Sequence, residues 1–154
     1  MNQGFRVGVG YDSHRLVEGR RLVLGGVEVP HERGLAGHSD GDALTHAVID
    51  AVLGAAGLGD LGDTFPSEDE RWRDADSLDL LRVVIGRVPG RVASVDATVI
   101  AEEPRLGAHR AEMARNLGAV LSAPVSVKAT TNDELGAIGR GEGIACIAVA
   151  LLEL

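Results

Sequence analysis

An α/β (α+β) fold, a single domain over residues 1–154 with one mixed β-sheet and helices packed on one face, is what the sequence predicts. Three observations predict it. Segments with strand alternation and segments with helical spacing interleave along the chain, with no linker, repeat or low-complexity tail between them. Ile144 to Leu152 is almost wholly apolar, as a central strand buried on both faces would be. Apolar residues make up 45% of the chain but aromatics only 3%, so the core must be built from Val, Leu, Ile and Ala. A chain of this length buries about 70% of its unfolded surface and needs no disulfide staples.

The elements follow in order. Phe5 to Tyr11 alternates and reads as a strand that delivers Asp12-Ser13-His14 at its end. Two residues apart on extended backbone, Asp12 and His14 point to the same side. Leu22–Leu24 and Val27–Val29, separated by Gly25-Gly26, read as a short hairpin, and Pro30 to Gly37 as a loop. Ser39-Asp40-Gly41-Asp42 then supplies helix N-cap oxygens. Leu44, Ala47, Val48, Ala51 and Ala55 recur at helical spacing and mark a buried face, before a glycine-rich exit through Gly57 and Gly59. Asp42, His46 and Asp50, four residues apart, run down the other side. Glu68 to Asp74 reads as a solvated, mobile loop, with Trp72 as a local lid. Asp76 caps a helix from Ser77 to about Val88, with Leu78, Leu81 and Ile85 inward and Pro89-Gly90 as the stop. Val92 to Ala101 is a half-buried strand. A turn at 102–105 leads to a helix ending near Leu121, with Met113, Leu117, Val120 and Leu121 inward. Val125 to Ala129 is a short strand, and Glu134 to Gly143 a loop.

Lys and Arg number 15 against 23 Asp and Glu, a net charge of −8 with no basic stripe, so a nucleic-acid polymer would be repelled. A small phosphorylated ligand needs only local cations or a metal. The single cysteine, Cys146, lies in an apolar run and reads as a buried core residue. No signal-peptide pattern opens the chain and no apolar run reaches the ~20 residues of a membrane span. A cytoplasmic location is expected. The modest supply of large side chains leaves room for an oligomer.

The stripe Asp42, His46, Asp50 has two readings, a solvated helix face or a metal ligand with its supporting groups. Asp12, His14 and His46 form a candidate zinc triad, since zinc takes imidazole nitrogen and carboxylate oxygen and a catalytic site leaves a fourth position open. Asp50, one turn after His46, is a candidate hydrogen-bond partner for that ligand. The other reading keeps Asp12 and His14 as turn residues. Lys128, Thr130, Thr131, Asp133 and Arg140 fit phosphate handling, or are simply solvated. Gly139 to Gly143 lacks the P-loop pattern, and Gly8-Val9-Gly10 opens no helix as a dinucleotide fingerprint must. His31 and His109 read as surface histidines.

Several motifs agree with one family. Gly10-Tyr11-Asp12-Ser13-His14, His38-Ser39-Asp40-Gly41-Asp42-Ala43-Leu44-Thr45-His46, Leu58-Gly59-Asp60-Leu61-Gly62, Phe65-Pro66, Lys128-Ala129-Thr130-Thr131 and Gly139-Arg140-Gly141-Glu142-Gly143 stand in family order across nearly the whole chain. The chain resembles the 2-C-methyl-D-erythritol 2,4-cyclodiphosphate synthases. The resemblance implies a homotrimer with active sites between subunits, and cyclisation of 4-diphosphocytidyl-2-C-methyl-D-erythritol 2-phosphate with release of CMP in the non-mevalonate isoprenoid pathway. It implies zinc on Asp12, His14 and His46, and magnesium or manganese near Asp133. It puts His38 and Thr131 at the transition state. Ser39, Asp60, Leu61, Gly62, Phe65, Lys128 and Arg140 would bind the substrate. Ala101, Glu102, Glu103, Pro104, Arg105, Leu106 and Gly107, with Thr130, Thr131, Asn132 and Asp133, would bind the nucleotide. Four positions depart from the usual family pattern: Ser67 for an acid, Arg105 for Lys, Asp133 for Glu, and Ala137 for an aromatic. The alternative chemistry is a mononuclear zinc phosphohydrolase, and a rival of another class is a catalytically idle trimeric binding protein.

Overall fold

The computed structural model describes residues 4–154. Its main sheet is mixed. Strands β1 (Phe5–Glu18), β4 (Arg33–Leu35), β5 (Arg91–Ile100), β6 (Val125–Thr130) and β7 (Gly143–Glu153) lie in the order β4-β1-β7-β5-β6. Only β5 and β6 run parallel, joined by the crossover helix α4 (Arg110–Leu121). Strands β2 (Leu22–Leu24) and β3 (Val27–Val29) form the expected separate hairpin. Helix α1 (Ala43–Ala56) packs on β1 and β7, α4 packs on β6, and α3 (Ser77–Ile85) packs against both helices. Among the described residues, no helix is long and apolar enough to cross a membrane.

Several boundaries differ from the expectation. Strand β1 does not stop at Tyr11: its pairing with β7 continues to Arg15–Gly143, and residues 16–18 then pair with β4. Asp12 and His14 therefore sit in mid-strand. Gly8, Gly10, Asp12, His14 and Leu16 all face the helices, and the polar pair in this inward row hid the strand's continuation. The segment 30–37 contains β4, because its backbone pairs the end of β1. Helix α3 ends at Ile85, capped by Gly86, and turns Leu80, Leu81 and Val84 fully inward, leaving Leu78 and Ile85 half-buried. Strand β7 is central but not buried on both faces. Helices cover one side only, so Ile147 and Val149 stay 40% and 43% exposed, beside Val7, Val9 and Tyr11 of β1. The polar stretches also carry short elements: α2 (Leu61–Thr64), a 3-10 turn at Glu70–Trp72, and α5 (Gly136–Gly139). Cys146 is buried, as expected.

Helix α1 excludes the solvated-face reading of its polar stripe. It is buried nearly all round, by the sheet on one side and by α3 and the β2 strand on the other. Asp42, its N-cap, is fully buried. The Asp42 carboxylate accepts from Gly25 N (2.8 Å), Gly26 N (2.9 Å), Thr45 N (2.9 Å) and Thr45 Oγ1 (2.8 Å), and so ties the hairpin turn to the helix start. Burial pushes its pKa up and Asp40's charge adds to that, while the bonds from Thr45 N, Gly26 N and Thr45 Oγ1 offset only part of the rise. Asp42→Asn puts an NH₂ group against one of these donors. It should cost about 2–3 kcal/mol of stability, readable as a lower urea midpoint at unchanged slope.

Candidate metal centre

Sheet alternation places Asp12 and His14 side by side on the inner face of β1, and α1 lays His46 against them. The approach is close because Gly8 and Gly10 have no side chain: a Cβ on Gly10 would stand 1.8 Å from the Ala47 carbonyl oxygen. His14 Nε2 lies 2.7 Å from Asp12 Oδ2, His46 Nδ1 lies 3.2 Å from the same oxygen, and the two ring nitrogens are 3.3 Å apart. Among the described residues, these three form a group whose ligand atoms all fall within 4.8 Å of one another.

This triangle fits a divalent cation. Tetrahedral ligands at the Zn–N distance of ~2.0–2.1 Å stand about 3.3 Å apart, close to two of the three edges here. His14 Nδ1 is 2.6 Å from the Ala36 carbonyl oxygen. A carbonyl only accepts, so Nδ1 carries hydrogen and a neutral His14 turns a bare Nε2 to the centre. Burial alone would raise the pKa of Asp12, but the hydrogen bonds and charges of the two histidines outweigh it and lower it. Burial alone would lower the pKa of His14, but Asp12 outweighs it and raises it. Both shifts have one cause, the pairing of the Asp12 carboxylate with the imidazoles beside it.

Asp50 does not support His46. Its carboxylate accepts from Leu61 N at 2.7 Å and holds the start of α2 instead. The groups on His46 Nε2 are Ser77 Oγ at 2.8 Å and Ser39 Oγ at 3.1 Å. Ser77 and Ala36 were not foreseen, since neither lies near its partner in sequence.

The remaining site candidates fall into three groups. His38 stands in the loop before α1, its Nε2 3.2 Å from the Asp69 carbonyl oxygen, while its own carbonyl accepts from Asp74 N at 2.9 Å. These bonds tie the 68–74 loop down. Trp72 packs edge-on against buried Phe65, ring centroids 4.9 Å apart. Asp60 caps α2 through a capping box with Asp63, leaving Leu61 half-buried and Gly62 exposed.

The second group centres on a cavity of about 420 Å³. Ala101, Glu102, Pro104, Arg105, Leu106 and Gly107 line one wall and Thr130 and Thr131 another, with Arg110 as an unforeseen cation. Glu103 is exposed and does not line it. Glu102 joins the two walls, its Oε1 accepting from Asn132 N at 2.7 Å and Glu134 N at 3.4 Å. Asp133 and Glu134 hold left-handed backbone, φ 51° and 61°, and Asp133 N donates to Thr131 Oγ1 at 3.3 Å. Asp133 is exposed and not part of the triad.

The last candidates are Lys128 and Arg140, of which Arg140 borders a cavity with Glu102 and Glu134. Lys128 is paired with Asp96 on the outer face of the sheet, and Arg140 with Glu142 at 2.6 Å. His109 stands at the start of α4 without a capping bond. His31 is half-buried with a buried Nε2 that has no protein partner, so it is not a plain surface histidine.

Residues 5–153 match the YgbB family. The 2-C-methyl-D-erythritol 2,4-cyclodiphosphate synthase of Salinibacter ruber is 56% identical, covering 96% of this chain and 98% of its own. The enzyme of that name from Rubrobacter xylanophilus is 57% identical, covering 97% and 96%. Among solved structures, the bifunctional IspDF from Campylobacter jejuni matches 99% of this chain with a TM-score of 0.93 and 38% identity, and this chain spans 43% of it. The CDP complex of IspF from Plasmodium falciparum matches 99% of this chain and 98% of its own, with a TM-score of 0.83 and 34% identity. With its fold, its full-length likeness and its sequence motifs in agreement, this chain belongs to the YgbB family of 2-C-methyl-D-erythritol 2,4-cyclodiphosphate synthases.

Proposed function

We propose that this chain, as one domain over residues 1–154, is a CMP-releasing cyclodiphosphate synthase, a phosphorus–oxygen lyase of the non-mevalonate isoprenoid pathway. It cyclises 4-diphosphocytidyl-2-C-methyl-D-erythritol 2-phosphate. An oxygen of the 2-phosphate forms a new bond to the β-phosphorus, the bond from that phosphorus to the α-phosphate oxygen breaks, and CMP leaves with the electron pair. The observation that carries this reading is the convergence of Asp12, His14 and His46 in a family whose relatives bear that name.

Zinc is the proposed ion on the triad, and magnesium or manganese the second, near Asp133. Bound there, such cations supply Lewis-acid polarisation of phosphoryl oxygens. The chain itself contributes position and charge, and no side chain has to form a covalent bond to substrate. His38 and Thr131 are the proposed transition-state partners. Thr131 Oγ1 accepts from Asp133 N and keeps its own proton available for donation. Ala101–Gly107 and Thr130–Asp133 form the proposed nucleotide site, with the cavity between them as support. Ser39, Asp60, Leu61, Gly62 and Phe65 are proposed to hold the erythritol end. Lys128 and Arg140 are proposed as further substrate contacts, cations suited to phosphate.

A homotrimer with sites shared between subunits is part of the same proposal. The outer face of β1 and β7 presents Val7, Val9, Tyr11, Ile147 and Val149 together, a strip that association would bury. The unpaired Cys146 fits the reducing cytoplasm proposed as its location.

Incubation of the purified chain with the diphosphocytidyl substrate should yield CMP and the cyclic diphosphate one for one, from a trimer by light scattering. Inorganic phosphate as the product would establish a phosphohydrolase instead, and binding without turnover an idle binder. Full activity in a monomer would reject shared sites.

A further inference from the structure

The hydrogen bond between His46 Nε2 and Ser77 Oγ has a direction, and Asp40 sets it. Asp40 Oδ1 is bonded to the Ser77 hydroxyl and to Asp42 N at 3.0 Å, and Oδ2 to Ser77 N at 2.9 Å. Two of these partners are backbone N–H groups, which only donate, so the carboxylate is the acceptor throughout. The single proton of the Ser77 hydroxyl goes to Asp40, and Ser77 Oγ can offer His46 only a lone pair. His46 Nε2 must then bear the ring proton. In the neutral ring Nδ1, which faces Asp12 and His14, then has the lone pair.

We propose that Ser77 and Asp40 are positioning residues for the metal centre: their hydroxyl–carboxylate relay holds His46 in the Nε2–H tautomer and so keeps Nδ1 free to coordinate. The proposal rests on the metal reading of the triad. Its support is geometric. Ser77 is completely buried, His46 nearly so, and Ser77 opens α3, whose entry is stapled to the 38–42 loop in both directions by Ser77 N to Asp40 and Asp40 N to the Ala75 carbonyl (3.2 Å). Ser39 Oγ, 3.1 Å from the same Nε2, cannot replace the relay. Among the described residues no acceptor other than His46 meets its hydroxyl, so Ser39 can serve either tautomer.

The test starts with the unmodified, metal-free chain. Histidine-ring ¹⁵N spectra should show His46 with a proton-bearing Nε2, the nitrogen that faces Ser77. A bare Nε2 overturns the proposal, whatever any variant does. Zinc affinity, measured by chelator competition, should fall about 10–100-fold in Ser77→Ala, the range for groups that orient a metal-binding histidine. Asp40→Asn should fall likewise, because its NH₂ must face one of the donors. Ser77→Thr keeps the hydroxyl and should bind zinc within about threefold of the parent, well inside that range. Thermal melts of the metal-free variants check that each is folded. A folded Ser77→Ala that binds zinc as the parent does overturns the relay. If Ser77→Ala does not fold, the parent's ring spectrum decides alone. A parent that binds no zinc overturns the metal reading, and its His46 tautomer still reports separately on the relay.

Discussion

His46→Ala should strip most of the zinc from the protein and lower CMP release by more than ~100-fold, since groups that merely orient a metal-binding histidine already cost 10–100-fold. The reason is the triangle. Asp12, His14 and His46 give three donor atoms at 2.7–3.3 Å separations, and no other Asp, Glu, His or Cys among the described residues joins that group. Two ligands cannot hold the cation in place, and His14 and Asp12 would be left to share a proton across 2.7 Å. Asp12→Ala should do the same, because Asp12 Oδ2 meets both rings. Metal content by mass spectrometry and turnover should fall together. Chelation of the parent should reproduce the loss, and added zinc should reverse it in the parent but not in the variants. A His46→Ala protein that turns over normally, or a parent that is fully active with no transition metal, rejects the assignment. A variant that loses stability but keeps its zinc would make His46 a core residue only.

The sequence made the triad legible because two simple periods carry it. Alternation puts Asp12 and His14 on one side, and helical spacing sets His46 on a stripe with Asp42 and Asp50. What it could not show is which of that stripe meets what. Asp42 turned out to be a cap buried against the hairpin, Asp50 a brace for α2, and only His46 a member of the centre. Those outcomes depend on β2, the Gly25-Gly26 turn and α3 covering the helix from behind, a tertiary fact with no local signal. The same holds for Ser77, 31 residues from its partner His46. The strand error in β1 has the opposite cause. Asp12, Ser13 and His14 look like a turn, since polar residues usually end strands, yet β7 pairs with them without interruption. The polar break in the pattern was the site itself. In β7 the apolar run was legible but its meaning was not. Ile147 and Val149 face outward, so their hydrophobicity serves the outer surface rather than the core of this chain.

Gly10→Ala should be the most damaging single methyl in the molecule. Its Cβ would lie 1.8 Å from the Ala47 carbonyl oxygen and 2.7 Å from Ala51 N, both backbone atoms of α1. A flexible side chain could swing away, but helix backbone can only move as a body. Restoring ordinary contact needs a shift of more than ~1 Å, where heavy atoms normally meet at 3.5–4.0 Å. Ala47 follows His46 directly and Gly10 precedes Asp12 by two residues, so the shift pulls the two halves of the metal centre apart. The expected stability loss exceeds the ~1–3 kcal/mol typical of overpacking. Zinc affinity should fall even in the fraction that stays folded. Gly8→Ala should behave similarly, with contacts of 2.0 Å to Ala51 O and 2.5 Å to Ala55 N. Gly54→Ala is the control. It lies in α1 itself, where a Cβ meets nothing nearer than 3.9 Å, and should be neutral or stabilise by up to about 1 kcal/mol through helix propensity. Thermal denaturation with and without zinc separates the outcomes. If Gly10→Ala melts like the parent and binds zinc as tightly, the strand and helix are not in backbone contact, and the spacing of the triad has some other origin.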